Sequence, residues 1–119
     1  MDTADALAQL TELSTDVVEV VAVAADGSIE AHVGATLARA DELARAGAEL
    51  VARASQDAPA GRGVARVQVE RDGGGLFIVA DEGRLAVATT VAEATAGLVV
   101  HDLRTVLRRS AEQSSGQSQ

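Results

Sequence analysis

The chain has 119 residues, enough for one domain with a core of ordinary size. Ten basic residues face eighteen acidic ones, and the net charge of −8 argues against nucleic acid and against an anionic membrane surface, since both need a basic footprint. All ten basic residues are Arg, and Cys is absent, which excludes Schiff-base lysines, P-loop lysines, disulfides, thiolate catalysis and zinc–thiolate sites.

Residues 3–15 are expected to form a helix: Ala6, Leu10, Leu13 and Val17 recur at spacings of four, three and four, and Asp2 or Thr3 is placed to cap it. VVEVVAVAADGSIEAHVG (17–34) then holds two strands joined at Asp26-Gly27, a strong hairpin signal. A two-residue loop there pairs Ala24 with Ile29, Val23 with Glu30, Ala22 with Ala31, Val21 with His32 and Val20 with Val33. Directly opposed residues share a face. One face is therefore Val20, Ala22, Ala24, Ile29, Ala31 and Val33, all apolar. The other has Val21 and Val23 on the first strand but Ser28, Glu30 and His32 on the second. The first strand is expected inside the sheet and the second at an edge.

Thr36 offers an N-cap for a helix over about 37–55, ending before Pro59 and Gly61. On one side Asp41, Arg45, Glu49 and Arg53 alternate in sign at four-residue spacing, the pattern of an i,i+4 ion-pair ladder. The other side carries Leu43, Leu50 and Val51 among small residues, including Gly47. Glycine inside a helix costs about 1 kcal/mol relative to alanine, which points to close approach of another element. VARVQVE (64–70) alternates as a half-exposed strand, expected at an edge. Asp72–Gly75 is a turn, and 76–80 is apolar on both faces, hence central. Asp81-Glu82-Gly83 suits a three-residue loop leading to a further two-faced strand over 84–89. Thr90-Val91-Ala92-Glu93 has the capping-box pattern, and a helix is expected over about 91–112 with Val99, Leu103, Val106 and Leu107 as its stripe. The Ser/Gln-rich segment 113–119 is expected to be a disordered tail, leaving 1–112 as the domain.

Chemical motifs are sparse. Glu30 and His32 leave one strand face together, half of a metal site with no third ligand near in sequence. His101-Asp102 sits on a helix where adjacent residues diverge by about 100°. Gly61-Arg62-Gly63 lies between a helix and a strand, the wrong order for a dinucleotide fingerprint. Gly73–Gly75 joins two strands without a Lys or a following helix. Arg104, Arg108 and Arg109 suit the C-terminal end of a helix dipole. No catalytic residue, metal site or cofactor is assigned, and the chain is expected not to be an enzyme. An acidic start without a basic n-region, and no run of eighteen apolar residues, lead to the expectation of a cytoplasmic protein.

The order α-β-β-α-β-β-β-α is that of an antiparallel sheet with helices on its faces. With the segments VVAVAADGSIEAHVG, ARADELARAGAELVARA, VARVQVE, LFIVADEGRLAVATT and AGLVVHDLR, the chain resembles the roadblock, or dynein light-chain, family over about residues 4–112. Ser28, where the family often has an apolar residue, and the high Ala content of the second helix are departures. The resemblance implies an α+β fold of α/β/α layers: a five-stranded antiparallel sheet with two helices on one face and one on the other, in the profilin-like roadblock topology. It further implies a homodimer through the third strand and second helix, and a small Ras-like GTPase as partner of a regulatory scaffold involved in signalling. A small-ligand sensor or adaptor without a GTPase is the alternative. For the dimer, Val64, Arg66, Gln68 and Glu70 are expected on the strand, and Ala40, Leu43, Gly47 and Leu50 on the helix. A two-fold axis through Gln68 sets Arg66 opposite Glu70 of the twin. The ladder Asp41, Arg45, Glu49 and Arg53 is the expected partner surface.

Overall fold

The computed structural model describes residues 2–56, 66–71 and 73–117. Its elements run α1 (Thr3–Leu13), β1 (Val17–Val23), β2 (Ile29–Val33), α2 (Leu37–Gln56), β3 (Arg66–Arg71), β4 (Gly74–Asp81), β5 (Arg84–Thr90) and α3 (Ala96–Gln117). The five strands form one antiparallel sheet in the order β2-β1-β5-β4-β3. The two-faced apolar strands are therefore central and the two half-polar ones lie at the edges, as the alternation requires.

α1 and α3 cover one face. There Leu7, Leu10, Val20, Ala22, Phe77, Val79, Val99, Leu103 and Leu107 make the larger core cluster. α2 covers the other, where Ala40, Leu43 and Ala44 pack on Val21, Val23, Ile78, Leu85 and Val87. Both helix starts near the first edge are capped as expected. Asp5 donates its backbone N–H to Asp2 Oδ1 at 2.8 Å, and Arg39 donates to Thr36 Oγ1 at 3.2 Å.

The first hairpin departs from the expected two-residue loop. Ala24 donates to the Ser28 carbonyl at 2.8 Å, so three residues, Ala25 to Gly27, form the loop, with Gly27 at φ 92°. Asp26 Oδ1 accepts from the Ser28 backbone at 2.9 Å and from its hydroxyl at 2.6 Å, holding that loop. Val23 then pairs with Ile29 rather than Glu30, and a bulge restores the expected register from Ala22↔Ala31 to Val20↔Val33. Ile29 accordingly packs on the α2 side, not with Val20. Glu30 turns to the α1/α3 side, where Arg84 and Thr3 meet it.

Two further boundaries shift. Asp81 pairs with Arg84, leaving a two-residue loop with both Glu82 (φ 51°) and Gly83 (φ 84°) left-handed, in place of the expected three residues. Thr90 ends β5 instead of capping a helix. α3 begins at Ala96, after Thr95, whose carbonyl accepts from Leu98 and Val99. The backbone N–H of Thr95 is in turn held by Asp16 Oδ2 at 3.3 Å. The helix runs on through 113–117, which composition assigns to a tail. No helix among the described residues is long and apolar enough to cross a membrane.

Candidate interaction surface

The two sheet edges differ. β2 is five residues long, carries the bulge, and is flanked by α1 on one face and α2 on the other. β3 is six residues long and pairs regularly with β4 from Arg66↔Val79 to Arg71↔Gly74. Among the described residues its outer backbone groups have no strand partner. A regular unpaired edge is a template for another strand.

Gln68 lies opposite Phe77 and Arg66 opposite Val79, and both Phe77 and Val79 belong to the α1/α3 side. Arg66, Gln68 and Glu70 therefore point to the face away from α2, all exposed, with Gln68 Nε2 donating to Glu70 Oε1 at 2.8 Å. Arg66 has no ion-pair partner among the described residues. Val67 and Val69 lie half-buried on the α2 side. Val64 lies outside the described residues.

The helix residues expected at the dimer seam are mostly not available to it. Ala40, Leu43 and Gly47 are buried against the chain's own sheet. A Cβ added at Gly47 would stand 2.7 Å from Val87 Cγ2, so the glycine serves the approach of α2 to β5. Leu50 alone of the four keeps surface, half-buried at the rim of that cluster.

The ladder on α2 is two separate pairs: Arg45–Asp41 at 3.1 Å and Arg53–Glu49 at 2.6 Å. All four side chains are more than half exposed, where such pairs are worth about 0.3–0.5 kcal/mol each. They line the outward face of α2, clear of the sheet.

Between one flank of α2 and the adjoining end of the sheet runs an open groove of about 580 Å³. Leu43, Ala46, Leu50, Val18, Val69 and Leu76 make its apolar lining. At its wall Arg39 Nε lies 3.2 Å from Glu19 Oε2, Arg39 Nη1 lies 3.2 Å from Glu42, and Thr89 donates to Glu19 at 3.0 Å. Hydrogen bonding to Glu19 holds the Arg39 guanidinium still more firmly protonated. This network escaped the sequence reading. Its signal was Glu19 itself, a charge in the otherwise apolar strand VVEVVAV, which needs a partner once its strand is covered.

A second missed cluster ties β2, β5, α1 and α3 together. Arg84 reaches Glu30 through Nε at 3.0 Å and Nη2 at 2.9 Å, the Leu107 carbonyl at 2.9 Å and Ser110 Oγ at 2.7 Å. Thr3 adds a hydroxyl bond to Glu30 at 2.9 Å. Burial pushes the Glu30 carboxyl up, but the bonds from Arg84 and Thr3 outweigh it and leave it below its ordinary value.

The pairing of Glu30 with His32 on one face does not survive the bulge. His32 donates its Nδ1–H to the Ala35 carbonyl at 2.9 Å, while Glu30 belongs to the opposite face. Among the described residues no three His, Asp or Glu side chains converge as a metal site would need.

No family model matches the chain, and no curated protein matches it. Solved structures do. A roadblock/LC7 domain from Streptomyces avermitilis superposes with a TM-score of 0.86 at 18% identity, covering 97% of this chain and 99% of that one. Myxococcus xanthus MglB gives 0.78 at 17% identity, covering 95% and 88%. LokiProfilin1, solved with rabbit actin, gives 0.60 at 11% identity, covering 92% and 93%. Three helices on a five-stranded antiparallel sheet, matched over nearly the whole length of both chains, give this protein the fold of roadblock/LC7 domains.

Proposed function

We propose that this chain is a non-enzymatic roadblock protein that forms a homodimer through its β3 edge and binds a small Ras-like GTPase, modulating its nucleotide cycle in the cytoplasm. The free, regular β3 edge is the observation that carries the dimer. With the two-fold axis at Gln68, Arg66 meets Glu70 of the twin on one face. On the other face Val67 meets the twin's Val69, extending the apolar surface beneath Leu50 and Val51. The seam is therefore polar on one side and apolar on the other. The GTPase comes from the family that the sequence resembles, and the likeness of fold to MglB supports it. The pairs Asp41–Arg45 and Glu49–Arg53 are the proposed contact surface on the dimer.

Light scattering on the full chain tests both halves. A dimer mass alone, and a further rise with a Ras-like GTPase that depends on GDP or a GTP analogue, support the reading. A strict monomer, or a dimer indifferent to the GTPase in both nucleotide states, contradicts it.

The groove of about 580 Å³ favours a second reading, a small-ligand sensor, because its size and largely apolar lining suit a small molecule. A ligand at one hundred times its dissociation constant adds about 2.7 kcal/mol of stability. A metabolite panel without a thermal shift contradicts that reading.

A further inference from the structure

Five large apolar side chains stand exposed among the described residues: Leu13, Val18, Leu37, Val91 and Leu98. Four of them belong to one end of the sheet, where the α1–β1 and β5–α3 connections meet. Val17 pairs with Thr90, so Val18 and Val91 flank a single ladder position. The β1–β5 register breaks between Val17 and Glu19, which leaves Val18 out of the ladder and accounts for its exposure. Asp16 accepts from the Val91 N–H at 2.9 Å and from the Thr95 N–H at 3.3 Å, binding the two connections together. Leu13 (82% exposed) ends α1, and Leu98 (59%) lies in the first turn of α3. A groove of about 230 Å³ between these helices opens here, lined by Leu10, Leu13, His101 and Asp102.

The charge at this end is mostly acidic. Residues 9–20 and 88–103 hold five carboxylates (Glu12, Asp16, Glu19, Glu93 and Asp102) and no Arg or Lys. Glu19 is paired with Arg39, and Arg109 stands at the far wall of the groove, bonded to Gln9, so the rim carboxylates beside the apolar side chains are chiefly Glu12 and Glu93. An exposed apolar patch with a polar rim marks an interaction site, and the rim sets the charge of what fits it. We propose that this end docks an amphipathic helix of a partner protein, its apolar face on Leu13, Val91 and Leu98 and its Lys or Arg flanks against the carboxylate rim. The site goes beyond the function proposed above: it lies at the end of the sheet and uses neither the β3 edge nor the ion pairs of α2.

The test uses the full chain and a fluorescent 18-residue peptide of Leu and Lys, with Leu at helical spacing, read by anisotropy. A peptide of the same composition without that spacing reports charge attraction alone. The helical peptide is expected to bind about tenfold more tightly than the rearranged one, and the Leu13→Ser/Leu98→Ser variant to lose about tenfold. Glu12→Arg/Glu93→Arg, on exposed positions, is expected to weaken binding severalfold and to flatten its salt dependence. Leu37→Ser, equally exposed but at the start of α2, is expected to bind as the parent does. Equal affinity for both peptides, or unchanged binding by both double variants, overturns the proposal. So does a fall in the mass of the free chain on Leu13→Ser/Leu98→Ser, which would assign this end to a second copy.

Discussion

At Gly47 a helix interior gives up about 1 kcal/mol of propensity so that α2 can lie close to β5. The neighbour that demands it is Val87, whose Cγ2 would be 2.7 Å from an added Cβ. Val87 is β-branched and fully buried, so it has little room to turn away. Gly47→Ala should therefore destabilise the protein despite alanine's better propensity, and Gly47→Leu should cost about 1–3 kcal/mol or more through overpacking. Urea unfolding checks this, and a more stable Gly47→Ala would contradict the account. For the same reason a change at Gly47, a residue expected from sequence at the dimer seam, reports on the fold instead. Arg84 and Glu30 matter in a different way. Their side chains are 18% and 23% exposed, and Arg84 also holds two groups on α3. Because folding lowers the Glu30 pKa, its contribution is complete above the ordinary value near 4.5 and is lost as pH falls through the folded value. The parent should thus lose stability on acidification below about pH 4.5 more steeply than Glu30→Gln, as followed by thermal unfolding across pH. Parallel curves would contradict the assignment. Arg84→Met, which leaves the carboxylate partly buried without its partner, should cost about 1–3 kcal/mol at pH 7.

Among the elements, β3 is the one proposed to pair with a second copy of the chain. Its chemistry predicts a charge-swap result. In the pairing centred on Gln68, Arg66→Glu turns two attractive cross-strand contacts into repulsive ones. At about 0.2–1 kcal/mol per contact, the dimer should weaken by roughly 1–3 kcal/mol. Arg66→Glu/Glu70→Arg restores both contacts and should recover the parent's dissociation constant in sedimentation. Both positions are exposed, so the fold is not at stake. Failure of the double variant to recover contradicts this register. Much of the element plan was legible because strands buried on two faces, such as β4 and β5, differ in pattern from half-exposed β3. The hairpin was legible only in outline. Asp26 bonds Ser28 and builds a three-residue loop, the bulge at Glu30 compensates it, and the two irregularities leave no mark on alternation. The start of α3 was missed because Thr90 and Glu93 form a capping pattern that β5 overrides by pairing Thr90 with Gly75. Ala40, Leu43 and Gly47 were recognisable as a close-packing face, but a small-residue stripe does not say whether the sheet or a twin helix covers it. The partners of Glu19 and Glu30 lie far along the chain, at Arg39 and Arg84, beyond any local spacing rule.

For the whole molecule the decisive property is its asymmetry. One edge of the sheet is short, bulged and flanked by helices, and the other is regular and open. One end of the sheet closes in the loops at Asp26-Gly27 and Glu82-Gly83, and the other presents apolar side chains among carboxylates. The proposed seam lies at the open edge, and the account stands on that edge being occupied by a second copy of the chain. Backbone hydrogen exchange followed against protein concentration measures it directly, since pairing protects amides that dilution releases. The account predicts that amides of residues 66–71 become protected as concentration rises, while those of 29–33 at the other edge do not change. Concentration-independent exchange along 66–71, or protection that appears on β2 instead, would contradict it.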